Sequence, residues 1–201
     1  MNKEHSVIIV PGLGNDTNKL QWATKHWRKF GLEPVIHSVG WHNGETEFQP
    51  KLERLVSLID QLTDKGDVVS LVGTSAGGSA VLNAYFERKD TIYRVVSVCG
   101  RLYKGAQVGF RSYETRTVSS PAFAQSVQLC ETRLASLTEG DKKKIMTVRA
   151  MFGDELVPAD TAIIKGVYNT QVPTPEHMLS IGAALTVFSK PIIMFLTGRE
   201  R

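Results

Sequence analysis

The stretch VVSLVGTSAGG at residues 68–78 decides the fold of this chain. Its first five residues are mostly β-branched, which is typical of a buried strand, and the small residues after Ser75 favour a helix. The segment Gly73-Thr74-Ser75-Ala76-Gly77 therefore lies at a strand-to-helix turn and fits the pattern G-x-S-x-G. In so tight a turn, side chains two positions before and after the serine would collide, and glycine avoids this. We expect a strained serine backbone, which costs about 1–3 kcal/mol.

Short apolar runs alternate with amphipathic runs on both sides of this stretch, which predicts a parallel sheet covered by helices. Strands are expected at residues 7–10, 35–39, 68–72, 93–99, 145–152 and 167–172, and helices near residues 17–30, 48–62, 76–85, 121–137 and 178–188. Residues 100–143 form a long connection after the fourth strand, and such a connection usually carries function or covers a site, here as a small cap. The 201 residues contain no internal repeat, so a single domain spanning residues 1–201 is expected.

The composition argues against several classes of partner. The net charge is +4, but the basic residues are scattered, and the one dense run, at residues 142–144, leads into an apolar stretch, so no nucleic-acid binding is expected. No apolar run is long enough for a membrane span or a signal peptide. Cys99 and Cys130 lack the spacing of a metal or redox pair. We therefore expect no metal and a location in the reducing cytoplasm.

A serine nucleophile needs a histidine to take its proton and a carboxylate to orient that histidine. For a serine on a turn of this kind, the acid and the histidine follow it in the chain. Of the five histidines, only His177 does so, in a proline-rich loop before the last predicted helix. Asp154 directly follows the fifth strand, at the edge where open α/β sheets build their sites. Glu155 and Asp160 are weaker candidates for the acid, and a helix-capping role is the alternative for Asp154.

Two backbone amides are expected to form an oxyanion hole. Ala76 opens the helix after Ser75, and Leu13 lies in the glycine-containing loop after the first strand. The run Gly12-Leu13-Gly14 also begins a dinucleotide-binding pattern, but Thr17 occupies the place of the third glycine. The turn at Ser75 lacks the lysine of a phosphate-binding loop. No cofactor is expected.

Together these residues resemble the α/β-hydrolase superfamily, in particular its compact lipase- and esterase-like serine hydrolases. The matching stretches are residues 7–15, 68–78 and 152–179. The resemblance implies an α/β-hydrolase fold with a mostly parallel sheet of about six strands and helices on both faces. It also implies hydrolysis of a small-molecule carboxylic ester through Ser75, Asp154 and His177, without metal or cofactor. The chain departs from many lipases at Pro11, where they have histidine, and in the length of its 100–143 insertion.

Other functions are compatible with the same residues. A thioesterase, an amidase or an acyltransferase would use the same three side chains, and a non-catalytic homologue would bind a small ligand or a protein. Three aromatic residues of the insertion, Phe110, Tyr113 and Phe123, could line an acyl pocket. Three basic residues, Arg101, Lys104 and Arg111, could bind an anionic group of the substrate. Core packing and a solvated surface explain both sets at least equally well. The sequence determines neither the substrate nor the oligomeric state.

Overall fold

A computed structural model describes residues 3–199 of the chain. Within that range lies a six-stranded sheet in the order β2-β1-β3-β4-β5-β6, and every neighbouring pair is parallel. The strands are β1 His5–Val10, β2 Glu33–Ile36, β3 Val68–Thr74, β4 Ile92–Val98, β5 Ile145–Ala150 and β6 Tyr168–Val172. The predicted parallel sheet of six strands is confirmed.

Nine α-helices connect and follow these strands within the described range. They are α1 Thr17–Thr24, α2 Gln49–Asp64, α3 Ala76–Glu87, α4 Tyr113–Thr117, α5 Pro121–Leu134, α6 Glu139–Lys142, α7 Ala159–Ala162, α8 His177–Leu185 and α9 Lys190–Leu196. Helix α1 begins at Thr17, as predicted. Asp16 is its N-cap, and the side chain of Asp16 accepts a hydrogen bond from the backbone N–H of Lys19.

Three predicted elements differ from the structure. The α-helix expected over residues 17–30 changes to a 3₁₀ helix at Lys25–Phe30, which turns the ring of Phe30 outward to 45% exposure. Strand β2 lies at Glu33–Ile36 and not at residues 35–39; it is an edge strand, where Pro34 is tolerated. The helix predicted for residues 178–188 corresponds to α8, which begins one residue earlier and ends at Leu185, and α9 follows it as a helix that was not predicted.

The sheet separates two hydrophobic cores, because alternate residues of each strand face opposite sides. On β1, Ile8 and Val10 face the core covered by α2, α3 and α5, whereas Val7 and Ile9 face the core covered by α1, α8 and α9. Helix α5 belongs to the 100–143 insertion and packs against α3 in the first of these layers. The cap function predicted for the insertion stays a prediction.

Most residues of the C-terminal helices α8 and α9 are apolar. Among the described residues, no single helix is long and apolar enough to cross a membrane. Helices α8 and α9 meet that criterion only as a pair, by length and composition, and they are bent by 56° relative to each other.

Candidate active site

Ser75 occupies the sharp turn between β3 and α3. Its backbone has φ = 51° and ψ = −120°, a combination that residues with side chains rarely adopt, at a cost of about 1–3 kcal/mol. The backbone N–H of Ser75 donates to the carbonyl of Val98 at 3.0 Å, which ties the turn to the neighbouring strand β4. The strained serine predicted from the sequence is present.

The glycines around Ser75 are required by close backbone contacts. A Cβ atom on Gly73 would lie 2.1 Å from the carbonyl oxygen of Gly77, and one on Gly77 would lie 2.2 Å from the carbonyl oxygen of Val10. A Cβ on Gly12, in the loop after β1, would lie 2.8 Å from the Cβ of Ser75. The loop after β1 and the turn after β3 therefore touch at the serine.

The structure brings Ser75, His177 and Asp154 together, although 102 residues separate the first two in sequence. The Nε2 atom of His177 lies 2.9 Å from Oγ of Ser75, and its Nδ1 atom lies 2.7 Å from Oδ2 of Asp154. The side chains of His177 and Asp154 are only 1% and 8% exposed. These distances allow a proton to pass from the hydroxyl to the imidazole while the carboxylate stabilises the resulting cation.

Asp154 is held in a fixed orientation by backbone donors. Its Oδ1 atom accepts hydrogen bonds from the amides of Leu156 at 2.9 Å and Val157 at 2.8 Å, which leaves Oδ2 for the imidazole. Burial opposes ionisation, but the hydrogen bond from His177 and the two amides outweigh it and hold the pKa of Asp154 below its usual value. Arg111 donates to the backbone carbonyl of Asp154 at 2.8 Å. The carboxylate is therefore ionised and fixed at neutral pH.

His177 is the first residue of α8 and does not lie in a loop as predicted. Glu176 is the N-cap of α8, and its carboxylate accepts hydrogen bonds from the amides of Met178 and Leu179. The carboxylate of Glu155 accepts from the backbone N–H of His177 at 3.0 Å. Glu155, considered above as an alternative acid, thus contacts the backbone of His177 and not its ring. Both glutamates position the histidine, and neither role was predicted.

Comparison with known proteins identifies the architecture. No protein-family model matches the chain, and neither does any curated protein sequence. Est1E from Butyrivibrio proteoclasticus is similar in structure, with a TM-score of 0.68 and 14% identity over 99% of this chain and 89% of that one. A monoacylglycerol lipase from Paleococcus ferrophilus has a TM-score of 0.65 and 14% identity over 100% and 97%. A lipase-esterase related protein from Clostridium acetobutylicum has a TM-score of 0.64 and 12% identity over 99% and 96%. This chain has the α/β-hydrolase fold.

In this α/β-hydrolase fold, the two predicted oxyanion donors lie beside the serine turn. Ala76 is the first residue of α3, so its N–H belongs to the end of the helix where amides have no carbonyl partner within the helix and negative charge is favoured. Leu13 follows Gly12 in the loop that touches Ser75. The roles of both amides stay predictions.

A cleft of about 570 Å³ opens at Ser75 and His177. Its walls are the loop after β1, helix α1 and helix α8, joined by Leu156 and by Arg116 of α4. No cluster of three or more His, Cys, Asp or Glu side chains is placed to hold a metal ion in the part of the chain from residue 3 to residue 199. Because Ser75 and His177 line this cleft, its other lining residues are the ones to consider for substrate binding.

The aromatic residues suggested for an acyl pocket lie elsewhere. Tyr113 and Phe123 are packed in the core on the other face of the sheet, and Phe110 is 61% exposed beneath the guanidinium of Arg116. None of these three aromatic residues is among those that line the cleft. Their spacing in the sequence could not show which face of the sheet they cover.

The basic residues suggested for an anionic group also have other contacts. The guanidinium of Arg101 is buried and donates to backbone carbonyls, including that of Arg111 at 2.8 Å and that of Ser112 at 3.3 Å. Arg111 in turn holds the backbone of Asp154. The ammonium of Lys104 lies over the ring of Tyr113. Arg101 and Arg111 thus fix the loop beside the acid, a structural role that the sequence did not predict.

Proposed function

We propose that this protein is a serine hydrolase that cleaves a carboxylic ester of a small molecule through an acyl-enzyme on Ser75. The observation that carries the proposal is the hydrogen-bonded series from Ser75 through His177 to Asp154, at 2.9 Å and 2.7 Å. The fold supports it, because solved structures named as a lipase and as a lipase-esterase related protein share it.

The proposed reaction has two steps. Nε2 of His177 takes the proton of Ser75 while Oγ attacks the ester carbonyl carbon, and the amides of Leu13 and Ala76 bind the oxyanion. Collapse of the tetrahedral intermediate breaks the bond to the alcohol oxygen, which receives the proton from His177. A water molecule then gives its proton to His177 and attacks the acyl carbon, and the carboxylic acid leaves as Ser75 regains its proton. Asp154 stabilises the imidazolium in both steps.

A non-catalytic homologue is the less favoured alternative. Binding a ligand requires neither a strained serine nor a buried imidazole held between a hydroxyl and a carboxylate, and both have a cost in stability. A thioesterase, amidase or acyltransferase would use the same groups, and rates on matched ester, thioester and amide substrates separate these activities. The cytoplasmic location stays a prediction.

The test is turnover of p-nitrophenyl acetate by the wild type and by Ser75→Ala. We expect Ser75→Ala to lose at least about 10³-fold in kcat with an unchanged circular dichroism spectrum. Ser57→Ala is the matched control, because Ser57 is an exposed serine on α2 and its loss should leave kcat unchanged. Equal activity of Ser75→Ala and the wild type would remove Ser75 from the mechanism.

A further inference from the structure

The cleft beside Ser75 continues as an apolar groove between helices α1 and α8, which pack next to each other. Its walls include buried aliphatic side chains at helical spacing, Leu20 and Ala23 on α1 and Ile181 and Leu185 on α8. His177 precedes Ile181 by four residues, so the imidazole and this apolar row share one face of α8. The groove therefore starts at the reacting atoms.

Large apolar side chains at the entrance of the groove are exposed to water, which is unfavourable in free energy. Trp22 is 75% exposed, Val187 79% and Met178 56%, and all three line the cleft. A ligand that covers them removes apolar surface from water, which favours binding of hydrocarbon.

Several polar side chains of the groove already have partners, and the guanidinium of Arg116, which also lines the cleft, lies over the ring of Phe110. Asp16 and Lys19 pair with each other at 2.6 Å. The hydroxyl of Thr186 donates to the carbonyl of Gly182 at 2.7 Å, and the side-chain oxygen of Asn15 accepts from Ser38 at 2.6 Å. A polar ligand would have to compete with these bonds, whereas a hydrocarbon chain would leave them in place.

We propose that this groove binds the unbranched hydrocarbon chain of an aliphatic ester whose carbonyl lies at Ser75. The inference rests on the proposed function and names its substrate class. From His177 to Leu185 the groove follows α8 for about 12 Å. An extended chain covers about 3.5 Å for every three bonds, so the groove accommodates about ten bonds. Substrates with chains of about eight to ten carbons fill it.

Gly182 provides a direct way to block the groove. It lies on α8 in the lining of the cleft, and a Cβ added there meets no atom within 4 Å. Glycine is a poor helix residue, so Gly182→Ala and Gly182→Leu both favour the helix and should fold. Leucine fills the groove and alanine adds a single carbon. Gly140→Leu, at an exposed position of α6, is the matched control for the same chemical change away from the cleft.

The experiment measures kcat/KM for p-nitrophenyl esters with acyl chains of two to twelve carbons. A parallel series of alkyl acetates shows whether the chain belongs to the acid or the alcohol. Each buried methylene raises kcat/KM up to about fourfold. We therefore expect a rise of at least about fiftyfold between two and eight carbons in one series, and a plateau beyond ten.

We expect Gly182→Leu to lower kcat/KM at least tenfold more for the eight-carbon substrate than for the acetate. Gly140→Leu should match the wild type on every chain length, and Gly182→Ala should lose less than Gly182→Leu on the long chains. Ester hydrolysis whose kcat/KM does not change with chain length in either series would overturn the groove and leave the ester hydrolase standing. Equal losses on short and long chains in Gly182→Leu would do the same. Failure to hydrolyse any ester would overturn the proposed function together with the groove.

Discussion

Replacing Asp154 with asparagine separates the charge of this side chain from its shape. One oxygen of Asp154 accepts two backbone amides, from Leu156 and Val157. An amide nitrogen cannot accept hydrogen bonds, so the oxygen of the new asparagine would stay there and its NH₂ group would face the imidazole. That NH₂ group then donates to Nδ1 of His177. The ring carries its proton on Nε2, facing Ser75, where it cannot act as a base.

The expected loss combines the wrong tautomer with the missing carboxylate charge. A substitution of this kind lowers kcat by about 10⁴-fold, which corresponds to about 5.5 kcal/mol in the activation free energy. The folded state should lose much less, about 1–2 kcal/mol, because two of the three hydrogen bonds of the side chain remain. Asp154→Asn is thus expected to lower kcat strongly while lowering the free energy of unfolding only slightly.

The assay is kcat on p-nitrophenyl acetate, with a urea unfolding curve for each variant. Nitrogen-15 chemical shifts of the imidazole report which ring nitrogen carries the proton. Asp160→Asn makes the same change at an exposed position six residues further on and should leave kcat unchanged. A loss below tenfold in Asp154→Asn, with the imidazole proton still on Nδ1, would refute the orientation argued from the two amides.

Three further substitutions test the surrounding structure. Gly77→Ala places a Cβ 2.2 Å from a carbonyl oxygen of β1 and should lower the free energy of unfolding by at least about 3 kcal/mol, or the Tm by about 6–12 °C. Gly14→Ala, with open space around its Cβ, should have the Tm of the wild type. Equal Tm values for the two variants would contradict the packing around Gly77. Burial opposes ionisation of Asp141, but the hydrogen bonds from the hydroxyl of Tyr85 and from other donors outweigh the effect of burial. The pKa of Asp141 is therefore lower in the folded than in the unfolded protein. The ionised side chain stabilises the fold above about pH 4, and this stabilisation is lost as the pH falls further. Urea midpoints should therefore separate Asp141→Asn from the wild type at pH 7 and converge toward pH 3, and a constant difference would count against this. Arg101→Met leaves buried carbonyls without their donor and should lower the free energy of unfolding by about 3 kcal/mol, whereas a change below about 0.5 kcal/mol in urea unfolding would show that the buried guanidinium is dispensable.

The turn at Ser75 was predictable because its signals are local. A β-branched run, two glycines and a helix-forming segment within eleven residues specify both the strand-to-helix turn and the strained serine. The meeting of Ser75 with Asp154 and His177 was predictable for a different reason. In a parallel sheet the carboxyl ends of the strands share one edge, and the residues that follow β3, β5 and β6 come together there.

The surroundings of His177 were less predictable. Glu176 caps α8 although glutamate is not a favoured N-cap residue, and the predicted start of this helix, residue 178, therefore fell one residue late and left His177 in a loop. Pro191, at the start of α9, is a local signal for a separate helix after α8 that the sequence analysis did not use. The groove depends on Leu20 and Ile181 lying on helices that meet only in the folded protein. Such contacts are set by tertiary packing and leave no local pattern.

The central claim is that His177 makes the hydroxyl of Ser75 a nucleophile. Its most direct test is reaction of the purified protein with a fluorophosphonate, followed by mass spectrometry of the peptides. We predict one adduct, on Ser75, that is absent in Ser75→Ala and forms at least about 10³-fold more slowly in His177→Ala. An unmodified wild-type protein, or an adduct on another residue, would contradict this claim.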